Sequence, residues 1–484
     1  MGALAVVAMV GRMVVLFALL MGVPLAFAVV GEDGAREPFL AAAGITLACG
    51  LVMSLATRRF RRELQPRDGF LLVALTWTLL PLFGALPLLL AIPGLSFTGG
   101  YFEAMSGFTT TGATVISGLD ALPTAVNVWR CLLSLVGGLG IIILAVAILP
   151  LLGVGGMQLV KTEMTGPMKD QKLTPRIADT ARAIWIIYGV IALACMLAYR
   201  MAGMSWADAF MHMCTTVSLS GFSSHDASYG YWNSAAIEAV AIAFMTISGV
   251  NLVLYFAAWR RRSLAPVWRN TEARAFVGAL AGAIALLTVY LWAEGSVATL
   301  PGALRQAAFH VVSVATTTGY ATHDYAQWPI FAPMLMILLG CFATCAGSTG
   351  GGMKMVRVLL LLKLSRRELL RILHPSAVTP VVLGGTVVSE RVMHSVVAYM
   401  MMYGACLVVL TLAMLFGGLE PVTAFTAVLA CLNNIGPGLG EVGPAVNYGG
   451  LSGVQIWICT LAMLLGRLEL LAVLVLLTPA FWRK

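Results

Sequence analysis

Residues 105–114 read MSGFTTTGAT, and one part of that stretch, Thr109-Thr110-Thr111-Gly112-Ala113, returns three more times in altered form. Its counterparts are Ser218-Leu219-Ser220-Gly221-Phe222, Thr316-Thr317-Thr318-Gly319-Tyr320 and Asn433-Asn434-Ile435-Gly436-Pro437. A Phe precedes each glycine by ten or eleven residues (Phe102, Phe210, Phe309, Phe425), and the glycines stand 109, 98 and 117 residues apart. The chain therefore carries a fourfold internal repeat.

Outward from each turn the same order of elements recurs. A short half-hydrophobic segment precedes it, at about 99–109, 206–217, 303–315 and 421–432. Long apolar runs flank it, at about 69–92 and 128–152, 178–201 and 235–259, 274–294 and 330–362, and 392–417 and 452–478. About 20 apolar helical residues cross a ~30 Å hydrocarbon core, whereas a run of ~10–14 does not. The long runs are thus predicted to span a bilayer and the short ones to be re-entrant. Two further spans, 3–30 and 38–57, open the chain. The first contains Ala26-Phe27-Ala28, which resembles a cleavage site, but its start lacks a basic region and Arg12 interrupts it, so it is predicted to be a retained helix.

Composition agrees. Of 484 residues 60% are hydrophobic and 11% charged, against roughly a quarter charged in an ordinary globular chain, which excludes a soluble domain. The polar segments are too short for a catalytic or nucleotide-binding domain of ~100 residues. The net charge of +9 does not point to nucleic acid, because 24 of the 30 cations gather at 57–68, 161–182, 260–274, 354–391 and the tail. Such clusters mark the cytoplasmic side. Segments 31–37, 98–127, 203–238, 294–328 and 419–450 then face outward. The nine cysteines lie in or beside apolar runs without CxxC spacing and are read as packing thiols.

Four re-entrant hairpins can surround one axis, and non-helical backbone at membrane depth persists only where it is buried or lines a water-filled path. The turns hold no acidic ring, only small polar residues leading into a glycine that permits close approach. Their carbonyl oxygens can replace the hydration shell of a monovalent cation, and short helices aiming their C-termini at the axis would add negative dipole ends. The expected ion-binding residues are Thr110, Thr111 and Gly112; Leu219, Ser220 and Gly221; Thr317, Thr318 and Gly319; and Asn434, Ile435 and Gly436. The second turn, with Leu219 amid serines, is the least regular.

Span 330–362 is interrupted by Ala346-Gly347-Ser348-Thr349-Gly350-Gly351-Gly352, which breaks a helix and makes Gly347, Ser348, Thr349, Gly350 and Gly351 a candidate gate. Arg467 lies in span 452–478, where a charge costs roughly 2.5–3.5 kcal/mol on insertion scales. Glu469 faces another side of the helix, so carbonyls of the 346–352 loop are the expected partners of Arg467, which would hold the gate closed and oppose cations. His225, Asp226, His323 and Asp324 are expected at the outer mouth, bonding their hairpins. The GxGxxG at 438–443 lacks a βαβ setting, and Gly137-Gly138-Leu139-Gly140 is read as close helix packing. Nothing in the sequence suggests an enzyme.

The motifs MSGFTTTGAT (105–114), SLSGFSSHD (218–226), TTTGYATHDY (316–325) and NNIGPGLG (433–440) resemble the TrkH/TrkG/KtrB/HKT superfamily of potassium transporters, most closely its bacterial TrkH-type members. The likeness covers essentially the whole chain, including the two extra N-terminal spans. It implies that Gly112, Gly221, Gly319 and Gly436 line a potassium path, with Gly112 where some sodium-carrying plant relatives have Ser. It also implies that the intramembrane loop obstructs the pore and that an arginine stands there, as Arg467 does. A multi-pass protein of the bacterial inner membrane follows, forming a homodimer with a cytoplasmic TrkA-like nucleotide-binding regulatory subunit.

The expected fold is an all-α polytopic membrane protein. Two N-terminal helices (1–60) precede four units of helix, re-entrant pore helix, filter and helix: 61–160, 161–270, 271–375 with the gate loop 346–352, and 376–484. The expected function is potassium uptake, with K+ in the filter, no organic cofactor and no nucleic-acid partner. The alternative is a secondary transporter for a small organic solute.

Overall fold

The computed structural model describes residues 2–60, 65–143 and 174–483, and these are mostly helical. The far end of the run expected at 128–152, and with it Lys161, Lys169, Lys172, Arg61, Arg62 and Lys484, lie outside the described residues. Among the described residues, six helices are long and apolar enough to cross a membrane, or eight if two bent pairs each count as one span. Leu16, Leu19, Val190, Val289, Val409 and Leu412 lie exposed along these helices, as lipid-facing side chains do.

At the N-terminus, helix Gly2–Leu20 packs against Arg36–Ala56. A Cβ on Gly11 would lie 2.8 Å from the Ser54 nitrogen, and one on Gly50 2.8 Å from that of Val15, so two glycines set the closeness of this pair. Two apolar cores lie behind the turns. One joins Phe17, Trp77, Phe108 and Trp129 to the last unit through Met414, Val428 and Met463. The other centres on Tyr199, Phe276, Phe309 and Ile337 of the middle units.

The four short helices run Phe97–Phe108, Trp206–Ser218, Leu300–Ala315 and Pro421–Leu432, close to their expected positions. Each starts the same way, with an N-cap side chain accepting an N–H three residues on. The pairs are Ser96 with Gly99, Ser205 with Asp208, Thr299 with Gly302 and Glu420 with Thr423.

Two long runs are not continuous helices. The run expected at 235–259 divides into Ala235–Gly249 and Leu252–Arg261 at 90°, and the run at 452–478 into Gly453–Arg467 and Leu471–Leu477 at 105°. The first break is held by Asn251, whose side chain caps the second half by accepting from the Val253 N–H at 2.9 Å. At the second, Glu469 (φ 55°) and Leu470 (φ 29°) turn the chain. Arg467 is therefore the last residue of a helix rather than mid-span, where a cation faces the negative end of the dipole. The third unit is broken more widely, with no helix between Phe331–Gly340 and Met355–Leu373. A small hairpin pairing Val382–Leu383 with Thr386–Val387 was not foreseen, since its paired segments are too short to show a period.

Candidate functional site

All four short helices end alike. The N–H of Thr111, Ser220, Thr318 and Ile435 donates to the carbonyl five residues back, on Ser106, Thr215, Ser313 and Ala430, each at 2.8 Å. The N–H of Thr110, Leu219, Thr317 and Asn434 donates three residues back, to Gly107, Thr216, Val314 and Cys431. This double bond pattern is the Schellman cap, which requires a left-handed residue at its centre. That residue is Thr110 (φ 53°), Leu219 (φ 56°), Thr317 (φ 62°) and Asn434 (φ 55°). Glycine or asparagine would be the ordinary choice, and a β-branched threonine there is strained by about 1–3 kcal/mol. Thr110, Leu219 and Thr317 are therefore strained whereas Asn434 adopts the conformation readily, so the strain recurs at three of the four equivalent places. The sequence reading placed these residues in the site but missed the strain, because Thr and Leu carry no left-handed signature.

The turns close into a ring. A Cβ on Gly112 would lie 2.3 Å from the Gly221 nitrogen; on Gly221, 2.6 Å from the Thr318 oxygen; on Gly319, 2.2 Å from the Ile435 oxygen; and on Gly436, 2.7 Å from the Thr111 oxygen. Each glycine thus abuts the backbone of the next turn in cyclic order, and no side chain fits between them. Gly112, Gly319 and Gly436 have positive φ (78°, 88° and 98°), whereas Gly221 does not, so the second turn is the irregular one. A vestibule has all four glycines in its lining, with His225 and Asp226 in its wall.

On the other side of the ring lies the loop at 346–352. It touches the third and fourth turns and the end of the second short helix. The Gly351 N–H donates to the Thr317 hydroxyl at 2.8 Å, and the Thr349 hydroxyl to the Val217 carbonyl at 3.0 Å. A Cβ on Gly351 would fall 2.1 Å from the Asn433 oxygen. Ser348 bonds within the loop, donating to the Cys345 carbonyl at 2.6 Å, and Gly347 turns with φ 77° beside Asn251. Gly350 accepts from the Lys354 ammonium. Arg467, 3% exposed, donates through Nη1 to the Thr349 carbonyl at 2.9 Å. Glu469 pairs instead with Arg357, at 2.6 Å.

Residues the sequence did not single out fix this loop. One Glu272 carboxylate oxygen accepts the N–H of Ala346 at 2.8 Å and of Val356 at 3.0 Å, clamping both flanks. Behind the first turn, Arg130 and Glu103 form an ion pair at 2.8 Å with side chains 1% and 0% exposed. Removing either partner would leave an uncompensated buried charge.

Of the mouth residues, His225 and Asp226 tie their hairpin to the first one, whereas His323 and Asp324 bond within their own. Asp226 accepts from the N–H groups of Gly118 and Leu119 at 3.1 and 2.9 Å, and His225 bonds to Asp120 and lies 3.5 Å from Asp208. Burial alone would lower the His225 pKa, but the two carboxylates outweigh it and raise it. Asp324 caps the turn at Ala326, and His323 meets the Thr322 hydroxyl at 3.0 Å. Among the described residues no group of three or more His, Cys, Asp or Glu is placed to hold a metal ion. Gly137 packs so closely on Phe108 that a Cβ would fall 1.9 Å from its carbonyl oxygen.

Comparison with known proteins adds an independent line. The family described as TrkH, cation transport protein, matches residues 36–484. The chain is 47% identical over 475 residues to the Trk system potassium uptake protein TrkH of Halomonas elongata, covering 98% of each. It is 44% identical over 481 residues to the protein of that name from Escherichia coli K12, covering 99% of each. The crystal structure of the potassium transporter TrkH from Vibrio parahaemolyticus superposes with a TM-score of 0.93 at 41% identity, covering 100% of both chains.

Proposed function

The chain belongs to the TrkH family of cation transport proteins, and from that premise we propose that it carries potassium into the cell through the ring of four glycine turns. It is a multi-pass protein of the bacterial inner membrane. The reading rests on one observation above the others: four glycines, each pressed against the backbone of the next turn in cyclic order. Such a ring offers carbonyl oxygens and nothing larger, which suits a bare monovalent cation. An organic solute would have to pass between turns whose backbones already meet, with no room for a side-chain-sized group.

In this reading Thr110, Thr111 and Gly112, with Leu219, Ser220 and Gly221, Thr317, Thr318 and Gly319, and Asn434, Ile435 and Gly436, form the ion path. The units 61–160, 161–270, 271–375 and 376–484 each contribute one quarter of it. Gly347, Ser348, Thr349, Gly350 and Gly351 form the gate, held by Arg467. The bonds from this loop to Thr317 and Val217 support that role. Transport is the function, and no step of covalent catalysis is assigned.

The relatives' names speak of a system, which implies more than one component. The homodimer and the TrkA-like nucleotide-binding subunit are part of the proposal. Helix Met355–Leu373, which leaves the gate loop and carries Lys363, Arg366, Arg367 and Arg371, is the element through which a cytoplasmic partner would act. The test is rubidium uptake by bacterial cells lacking their own potassium uptake systems. Potassium should block uptake and sodium should not. Cells that gain no such uptake from the chain and its regulatory subunit would overturn the reading.

A further inference from the structure

We propose that Glu103, His212, His310 and Thr426 are positioning residues for the ion path, four struts that pin the strand leaving each glycine turn; the inference rests on the potassium reading above. Each is on a short helix, nine or ten residues before its glycine, and is at most 1% exposed. Each bonds a polar atom two to four residues beyond the same glycine.

Glu103 accepts the Val115 N–H at 3.0 Å and the Thr114 hydroxyl at 2.9 Å. His212 meets the Ser223 hydroxyl through Nε2 at 3.0 Å. The His310 Nε2 accepts from the N–H groups of Thr322 and His323 at 3.3 and 3.4 Å. Thr426 accepts the Leu439 N–H at 2.9 Å. A carboxylate, two imidazoles and a hydroxyl have only one chemical property in common here, an acceptor atom at the same place behind the turn.

The histidine tautomer follows from geometry. The Nδ1 atoms of His212 and His310 lie 2.9 and 2.8 Å from the carbonyl oxygens of Asp208 and Gln306, which can only accept. Each Nδ1 therefore carries the proton, and each Nε2 presents its lone pair to the strand. Glu103 is neutralised by Arg130, whose Nη1 continues to the Ser223 carbonyl at 3.2 Å, so the first strut is tied to the second strand.

A glycine carbonyl is aimed by the backbone on both sides of it. The Schellman cap fixes the near side and the strut fixes the far side. Discrimination between ions of one charge depends on sub-ångström placement of oxygens, and supporting residues supply it. Removing an acceptor leaves a buried N–H unpaired and the strand free to shift.

The experiment uses the full chain with its regulatory subunit in the same potassium-uptake-deficient cells, reading the ratio of sodium to potassium needed to halve rubidium uptake. Thr426→Val and His310→Phe keep size and remove the acceptor; Thr426→Ser and His310→Gln keep an acceptor. The first pair should lose discrimination by roughly three- to tenfold, and the second should stay within about twofold of native. A ratio does not depend on the amount of protein, and the isosteric Thr426→Val decides alone if His310→Phe does not fold. Native discrimination in Thr426→Val, or an equal loss in Thr426→Ser, would overturn the inference while native potassium uptake still stood. Absence of rubidium uptake by the native chain would instead overturn the transport reading and the inference with it.

Discussion

Arg467 donates to the carbonyl oxygen of Thr349 across 118 residues of sequence, and the bond joins the last residue of a broken helix to the centre of the glycine-rich loop. Its direction matters. A guanidinium that holds a loop carbonyl cannot leave while the loop stays, and its charge lies beneath the ring where a cation would emerge.

Removing that bond should release the loop. A hydrogen bond from a charged group contributes about 1.5–3 kcal/mol, so Arg467→Ala is expected to raise flux through the purified protein, without a regulatory partner, by roughly 10- to 100-fold. Rubidium-86 uptake into proteoliposomes checks it. Flux equal to that of the native protein would exclude Arg467 as the latch.

The glycine ring makes a sharper contrast. Gly319→Ala forces a Cβ to within 2.2 Å of the Ile435 oxygen at φ 88° and should reduce rubidium uptake by cells at least tenfold. Gly278→Ala, in a helix with nothing within 4 Å, should leave uptake unchanged and stability equal or higher by about 0.5–1 kcal/mol. Comparable losses in both variants would remove the ring's special status.

The buried pair at Arg130 and Glu103 should behave as an all-or-none unit. Arg130→Met leaves a carboxylate buried and unpaired and is expected to cost about 3–5 kcal/mol. Adding Glu103→Gln, which removes the charge but keeps an acceptor for Thr114 and Val115, should recover much of that loss in a thermal melt of the detergent-solubilised protein. A double variant less stable than the single one would contradict the buried-charge account.

At the mouth, the pairing of His225 with Asp120 predicts a pH optimum for stability. Burial would raise the Asp120 pKa, but bonding to His225 and Asp226 lowers it. Its contribution is therefore present above the ordinary carboxylate value and lost in acid. The raised His225 pKa gives a contribution complete below its ordinary value and lost as pH climbs through the folded one. Both are present between about pH 4 and pH 6.5. The difference in melting temperature between native protein and His225→Gln should peak in that window. The effect is modest, because the Asp120 side chain is 49% exposed. A difference flat from pH 4 to 9 would show that the pair does not contribute.

Much of this architecture was legible in the chain. The short helices could be placed because ~12 half-apolar residues before a glycine turn recur four times. The caps Ser96, Ser205, Thr299 and Glu420 were equally visible in principle, as polar residues opening each apolar segment. The bends at Gly249 and Arg467 were not, since no proline marks either break and single polar residues such as Asn251 or Glu469 do not by themselves end an apolar helix. The strain at Thr110 and Thr317 was hidden for a similar reason: local propensity argues against it, and only the cap bonds impose it.

By itself the sequence determined what repeats: apolar length, glycine position and the polarity of each turn, properties that depend on neighbours within about twenty residues. The tertiary structure decided what meets. The cyclic contact of Gly112 with Gly221, Gly221 with Thr318, Gly319 with Ile435 and Gly436 with Thr111 joins segments about a hundred or more residues apart. The pairings of Arg467 with Thr349 and Arg357 with Glu469 do the same, and Glu272 reaches both flanks of the loop from 74 and 84 residues away. No periodicity encodes such contacts, because which buried donor finds which carbonyl is settled only when desolvated groups must pair inside the assembled bundle.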